Sequence, residues 1–339
     1  MGQDDILLVT GREVGALLAG LEVEVIDAVE RAYTAHREGK SALPHSTFLR
    51  FPGDDLNRII ALPAFLGDGF GVAGLKWISS FPRNVESGQP RATAVLILNS
   101  TATGRPEVIL EGSLISAQRT AASAASAARV LLENRPPERV GLIGTGVINR
   151  AIARFLLAAL PGIRRFLLFD LDPARAARCA QDLRAAGDGL EVEIAAGVGE
   201  VLAASPLVSF ATTAIRPHVA ELSACPAGAV LLHISLRDLA PQAILPCDNV
   251  VDDADHACRA QTTLHLAEQA TGGREFIRCT LADILAGAAP PRRGDGSLAV
   301  FSPFGLGVLD LAVGRLVAER ARAAGFGTSI PSFFPVTVE

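Results

Sequence analysis

Three cationic side chains in the N-terminal half of the chain sit among neighbours that suit acid–base and carboxylate chemistry. Lys76 lies in Gly74-Leu75-Lys76-Trp77-Ile78, Arg91 in Gln89-Pro90-Arg91-Ala92-Thr93, and Arg119 in Ser116-Ala117-Gln118-Arg119-Thr120-Ala121-Ala122. A single arginine is more often a surface ion pair than a ligand. Guanidinium groups in mostly apolar segments nevertheless suit bidentate carboxylate binding. A lysine among them can give or take a proton if burial and positive neighbours lower its pKa. Lysine occurs only at Lys40 and Lys76; every other cationic side chain of the Lys/Arg type is arginine. Arginine cannot stand in where a proton must leave near neutral pH. Lys76, beside the only tryptophan, is therefore the stronger acid–base candidate.

A second constellation follows. Arg139-Val140-Gly141-Leu142-Ile143-Gly144-Thr145-Gly146-Val147-Ile148-Asn149 reads as an apolar strand, a glycine turn and a helix start. That is how a dinucleotide-binding βαβ unit begins. Gly144, Thr145 and Gly146 let the backbone approach a pyrophosphate, and Val147 and Ile148 open the helix whose N-terminus favours an anion. Asn149 stands where the fingerprint has its third glycine, which is expected to weaken the helix–strand packing. The next strand, Arg165-Phe166-Leu167-Leu168-Phe169-Asp170, ends in an acid suited to ribose hydroxyls and repulsive to a 2′-phosphate, so NAD is expected over NADP. Asp172 is expected to cap the following helix at Pro173. Thr212 and Ser235, after later strands, lie where ribose and nicotinamide would pass.

Composition narrows the class. The chain has 339 residues, 49% of them hydrophobic, and a net charge of −5. This suits two domains with a large core and offers no basic field for nucleic acid. Five cysteines without a CxxC pair suggest reduced thiols in a cytosol. Cys247, Cys258 and His256 lack a fourth ligand at metal spacing. The N-terminal Met1-Gly2-Gln3-Asp4-Asp5-Ile6 has no export-signal pattern, and no apolar run reaches membrane-spanning length. A cytoplasmic protein without membrane or nucleic-acid partners is expected.

The elements that must position these groups fall in two sets. Residues 12–38 show helical spacing. Short alternating runs at Ser46–Phe51, Arg58–Ala64, Gly71–Ser79, Thr93–Asn99 and Glu107–Leu110 predict a mostly antiparallel sheet. Ser113 is expected to cap an Ala/Ser-rich helix reaching Glu133, and Asn134-Arg135-Pro136-Pro137 to stop it and form a linker. A βαβα rhythm follows, with strands at 139–143, 165–170, 190–195, 206–211, 229–234 and 248–252, which calls for a parallel sheet covered on both faces. Ser297–Ser302 and a helix from about Gly305 to Ala324 are expected to return to the first part. The predicted architecture is α/β: a Rossmann-type NAD domain over 134–302, and an α+β substrate and dimerisation domain from 1–133 and 303–339.

These segments together resemble the ornithine cyclodeaminase/μ-crystallin family over nearly the whole chain, through the Lys76 strand, Arg119-Thr120-Ala121-Ala122, Gly144-Thr145-Gly146 and Asp170. Within it, Lys76-Trp77-Ile78-Ser79-Ser80-Phe81-Pro82, Gly88-Gln89-Pro90-Arg91-Ala92 and Phe301-Ser302-Pro303-Phe304-Gly305-Leu306-Gly307 resemble the branch of N-(2-amino-2-carboxyethyl)-L-glutamate dehydrogenases, which serve 2,3-diaminopropionate biosynthesis. The resemblance implies a homodimer formed through the first domain and a small amino-acid-derived substrate facing the nicotinamide. It also implies carboxylate binding at Arg119 and acid–base work at Lys76. Arg50 and Ser46 both match a further carboxylate-binding arginine, and Asp238 matches a catalytic aspartate. Cyclodeaminases carry a glutamate at the position of Ile60, so a site for ornithine's amino group looks incomplete. The implied reaction is NAD-dependent cleavage to 2-oxoglutarate and 2,3-diaminopropionate. Ornithine cyclodeaminase or imino-acid reductase activity is the rival on the same fold, and a non-catalytic nucleotide-dependent binding protein of μ-crystallin type is the rival from another class.

Overall fold

The computed structural model describes residues 5–133, 136–187 and 189–334. Met1–Asp4 of the N-terminal reading, and Asn134 and Arg135 of the proposed linker, lie outside the described residues. The chain divides into two compact units, one ending at Arg119 and resuming at Leu306, the other running from Thr120 to Gly305. The first junction therefore falls inside the long Ala/Ser-rich helix, where the sequence reading sets it after residue 133.

The first unit opens with β1 (Ile6–Val9), α1 (Gly11–Leu18) and α2 (Glu22–Arg37). The helical spacing over 12–38 resolves into two helices, broken at Gly20, whose φ of 73° is left-handed. Apolar spacing continues across the break, which is why periodicity alone misses it. Next come β2 (Ser41–Ala42), β3 (Thr47–Phe51), β4 (Asp54–Leu66), β5 (Val72–Ser80), β6 (Ala94–Ser100), β7 (Pro106–Glu111) and α3 (Gly112–Leu131). The helix start differs from expectation: the Glu111 carboxylate accepts from the Ser113 and Leu114 amides at 2.8 and 3.0 Å. A carboxylate meets two open amide donors at once, and Ser113 Oγ itself donates to Glu111.

The second unit contains β8 (Arg139–Ile143), α4 (Val147–Ala159), β9 (Arg165–Phe169), α5 (Pro173–Ala186), β10 (Glu191–Ile194), α6 (Val198–Ala204), β11 (Leu207–Phe210), β12 (Val230–His233), α7 (Pro241–Ile244), β13 (Asp248–Val251), α8 (Ala254–Ala257), α9 (Thr263–Thr271), β14 (Ile277–Thr280), α10 (Leu281–Leu285) and β15 (Ala299–Ser302). Its sheet is parallel throughout, in the order β10-β9-β8-β11-β12-β15-β13-β14. The reversal of order beside β8 is the switch point at which open α/β sheets bind ligands. The Ser297–Ser302 strand does not return to the first unit: β15 lies between β12 and β13, with Val230 opposite Ala299. All four of its residues are buried, as in an interior parallel strand.

The chain then re-enters the first unit through α11 (Gly307–Ala324) and β16 (Thr328–Ile330). That unit's sheet runs β16-β1-β7-β6-β5-β4-β2, with β3 on β4; among the described residues its only parallel pair is β1–β7. α11 lies across β4, β5 and β6. A Cβ on Gly314 would stand 2.4 Å from Leu96 Cδ2, so the missing side chain is what lets this helix sit close on the sheet. The opposite face shows rows Ala61–Trp77–Val95 and Pro63–Leu75–Ile97. There Leu49, Phe65, Trp77 and Val95 remain exposed. Among the described residues no helix is long and apolar enough to cross a membrane.

Candidate active site

The glycine turn joins β8 to α4. Gly144 has φ 80°, and a Cβ there would meet the Ala211 carbonyl oxygen at 2.6 Å, so only glycine fits. Above Gly146 nothing lies within 4 Å of a built Cβ, and no side chain caps α4. Val147 is exposed and Ile148 half-buried. The amide donors of the first turn are thus open to an anion, and the turn fits a pyrophosphate.

Asn149 replaces small-residue packing with hydrogen bonds. Fully buried, its Nδ2 donates to the carbonyls of Gly144, Ile143 and Ser209 at 2.6, 3.0 and 3.2 Å, while Ser209 Oγ donates to its Oδ1 at 2.7 Å. The side chain ties the turn to β8 and β11. Asn149→Gly restores the fingerprint's residue yet strips partners from buried groups. It is expected to lower stability by about 1–3 kcal/mol in chemical denaturation.

Asp170 Oδ2 accepts from the Thr145 amide and hydroxyl at 2.7 and 2.9 Å, and Oδ1 from the Asp172 amide at 2.9 Å. A carboxylate offers about four acceptor positions, so room remains for a ribose hydroxyl. Arg175 stands 3.9 Å from Oδ1. Asp172 caps α5, accepting from the Ala174 and Arg175 amides at 2.9 and 3.2 Å.

At the carboxyl ends of β11 and β12, Thr212, Ser235 and Asp238 converge. Asp238 is fully buried and accepts from both the Thr212 and Ser235 hydroxyls. His218 Nε2 lies 3.1 Å from its Oδ1 and His233 Nε2 3.6 Å from its Oδ2. Burial alone would raise this carboxyl, but hydrogen bonding and charge from His233, with the Ser235 and Thr212 hydroxyls, hold it well below the usual range. It is an ionised acceptor. His233 was noticed only as part of His233-Ile234-Ser235 at the end of its strand, and His218 was not singled out by sequence; nothing in their spacing ties either to Asp238.

In the first unit, Lys76 and Arg119 share one carboxylate, Asp310 on α11. Lys76 Nζ donates to Oδ2 at 2.6 Å and to Ser116 Oγ at 3.2 Å. Arg119 Nε donates to Oδ1 at 3.2 Å, and its Nη2 to Ser116 Oγ at 3.4 Å. All three charged residues are buried. Two cations against one anion leave a positive excess. Burial pulls Lys76 down to about 8, with the Asp310 charge opposing and the Arg119 charge adding to the fall. Asp310 was missed by sequence, although a lone acid in Val308-Leu309-Asp310-Leu311-Ala312-Val313 must find a cation once buried.

Arg50 is exposed on β3, opposite Arg58, with its guanidinium 5.7 Å from the Phe48 ring centre. Ser46 lies just before that strand. Arg91 follows the 3₁₀ turn Pro82–Ser87 and is half-buried. Ile60 stands between Phe48 and Ile78 in an apolar row.

A doubly wound sheet with an open glycine turn, joined to an α+β unit holding a buried lysine, defines a two-unit dinucleotide-dependent class. The chain belongs to the ornithine cyclodeaminase/mu-crystallin family, which it matches over residues 6–325. It is 26% identical over 311 residues to N-((2S)-2-amino-2-carboxyethyl)-L-glutamate dehydrogenase of Staphylococcus aureus, covering 90% of this chain and 92% of that one. Among solved structures, Thermococcus litoralis Delta(1)-pyrroline-2-carboxylate reductase with NADH and L-proline is similar with a TM-score of 0.89. That match has 25% identity and covers 96% of this chain and all of the other. An archaeal alanine dehydrogenase dimer with bound NAD gives a TM-score of 0.84 at 26% identity, over 97% and 100% of the two chains.

Proposed function

We propose that this protein is an NAD-dependent dehydrogenase that oxidatively cleaves N-(2-amino-2-carboxyethyl)-L-glutamate to 2-oxoglutarate and L-2,3-diaminopropionate. The observation that carries the reading is the buried Lys76–Asp310–Arg119 cluster, with its positive excess and a lysine poised near 8. The resemblance to the Staphylococcus aureus enzyme supports the choice of substrate.

NAD⁺, when bound, supplies the acceptor for hydride from the glutamate Cα. Gly144, Thr145, Gly146, Val147, Ile148 and Asn149 form or brace its pyrophosphate turn, and Asp170 takes a ribose hydroxyl. Thr212 and Ser235 serve the cofactor side by holding Asp238 in place. Arg119 binds the carboxylate beside the reacting carbon, and Arg91 and Arg50 the remaining carboxylates. Loss of hydride leaves a C=N bond. Water adds to that carbon with neutral Lys76 taking its proton; the C–N bond then breaks as the amine leaves with a proton. The balance is substrate, NAD⁺ and water to the two products, NADH and one proton.

An apolar Ile60 row disfavours cyclodeamination, because ornithine's second amino group finds no carboxylate there. Following NADH absorbance with the secondary amine, ornithine and alanine tests the proposal. Turnover of the secondary amine at least 100-fold above the others is expected; ammonia and proline from ornithine would mark the rival.

The homodimer belongs to the same proposal. The exposed rows around Trp77 and Val95 supply an apolar face, and the archaeal relative is a dimer. Removing a central interface aromatic costs about 2 kcal/mol, and a two-fold interface counts it twice. Trp77→Lys is thus expected to weaken association by roughly a thousandfold. Sedimentation velocity would show a monomer; an unchanged dimer places the interface elsewhere.

A further inference from the structure

The sheet of the first unit gathers more positive charge than one carboxylate requires. Arg50 pairs with Arg58 across β3–β4, and Arg58 with Ser80 across β4–β5. Directly opposed residues share a face, so these three side chains form one row. Lys76 precedes Ser80 by four residues on the same strand and therefore on the same face. About 13 Å of strand separates them at roughly 3.3 Å per residue, a gap that long lysine and arginine side chains narrow from both ends.

Two polar atoms at that row's end are buried without a partner among the described residues: Ser80 Oγ and Arg91 Nε. Ser80 is 9% exposed. Arg91 is held beside the end of β5, where its carbonyl accepts from the Phe81 amide at 2.8 Å. Burial, then the charge of Arg58, pulls its guanidinium below the usual value. A half-buried guanidinium near a second one, with its own Nε and the neighbouring Ser80 hydroxyl idle, is costly unless an anion completes the set. Arg278 shows the contrast: its Nε donates to the buried Asp248 carboxylate, and its other nitrogens to the carbonyls of Pro290 and Pro291.

We propose that Arg58, Arg91 and Ser80, with Arg50 at the edge, form a second anion subsite. It takes a carboxylate of the substrate several bonds away from the one beside the reacting carbon. This rests on the reading of Lys76 and Arg119 as the first carboxylate site. It makes the protein selective for amino-acid derivatives bearing two or more carboxylates, and it gives Arg58 and Ser80 a role in specificity.

Calorimetric titration of the NADH-loaded protein with 2-oxoglutarate, a dicarboxylate, and pyruvate, a monocarboxylate, tests it. Wild type is expected to bind 2-oxoglutarate at least 10-fold more tightly than pyruvate. Arg58→Met and Arg91→Met are each expected to weaken 2-oxoglutarate by 10-fold or more and leave pyruvate within twofold. Ser80→Ala, the mildest change, is expected to do so by a few-fold, which keeps the test open if an arginine variant fails to fold. Equal affinity of the two acids in wild type, undetectable 2-oxoglutarate binding, or an unchanged ratio in the variants overturns the subsite. Failure of the functional reading is separate: the ratio would collapse in the variants while wild type left the secondary amine unoxidised.

Discussion

Replacing Lys76 with methionine is expected to lower kcat for amine oxidation by about 10²–10⁴-fold, the usual contribution of a positioned acid–base group. NAD affinity, measured by fluorescence titration, is expected to stay within twofold, because the glycine turn belongs to the other compact unit. The pH dependence follows from the same lysine. Its ammonium loses a proton at about 8, and only the neutral amine can take one from water. The kcat for oxidation is therefore expected to rise with pH through about 8 and level off above it. Lys76→Arg keeps the charge but cannot release its proton, so it should be nearly as inactive as Lys76→Met. An active Lys76→Arg variant would remove Lys76 from the proton transfer.

Asp310 carries the second large effect. Its two oxygens hold Lys76 and Arg119 at 2.6 and 3.2 Å within a buried helix face. Asp310→Ala leaves two buried cations without their counter-ion. Breaking a buried pair in this way costs roughly 3–5 kcal/mol, a loss that urea denaturation would read directly. Asp310→Asn separates charge from shape: the amide fills the same space, but the anion that raises the Lys76 pKa is gone. The inflection in the pH–rate profile is then expected to move below 8. An inflection that stays in place would mean that another group titrates.

The fold was legible where local pattern suffices. Most strands of the parallel sheet through β13 are short, largely apolar runs between turns, with Glu191–Ile194 the alternating exception, and the alternation with helices marks the sheet as doubly wound. What local pattern omits is order. Nothing in Ala299–Ser302 says that it inserts between β12 and β13, and β14, half-buried and polar at Arg278 and Thr280, does not stand out as an apolar run. The site was legible in the same measure. Lys76 and Arg119 stood out as cations in apolar segments, but their shared partner is 234 residues from the lysine. Asn149 read as a missing glycine because the fingerprint describes packing; its two hydrogen bonds with Ser209 exist only once β8 and β11 lie side by side. Thr212, Ser235 and Asp238 were each noticed separately, and only the ends of two adjacent strands make them one cluster.

In the proposed reaction hydride leaves the glutamate Cα of a secondary amine, after which the C–N bond is hydrolysed. Deuterium placed at that carbon of N-(2-amino-2-carboxyethyl)-L-glutamate tests it most directly, with the nucleotide and both products followed by mass spectrometry. One deuterium is expected in each NADH formed, with equimolar unlabelled 2-oxoglutarate and 2,3-diaminopropionate. Deuterium retained in the organic product, or nucleotide left oxidised while the substrate disappears, would contradict it.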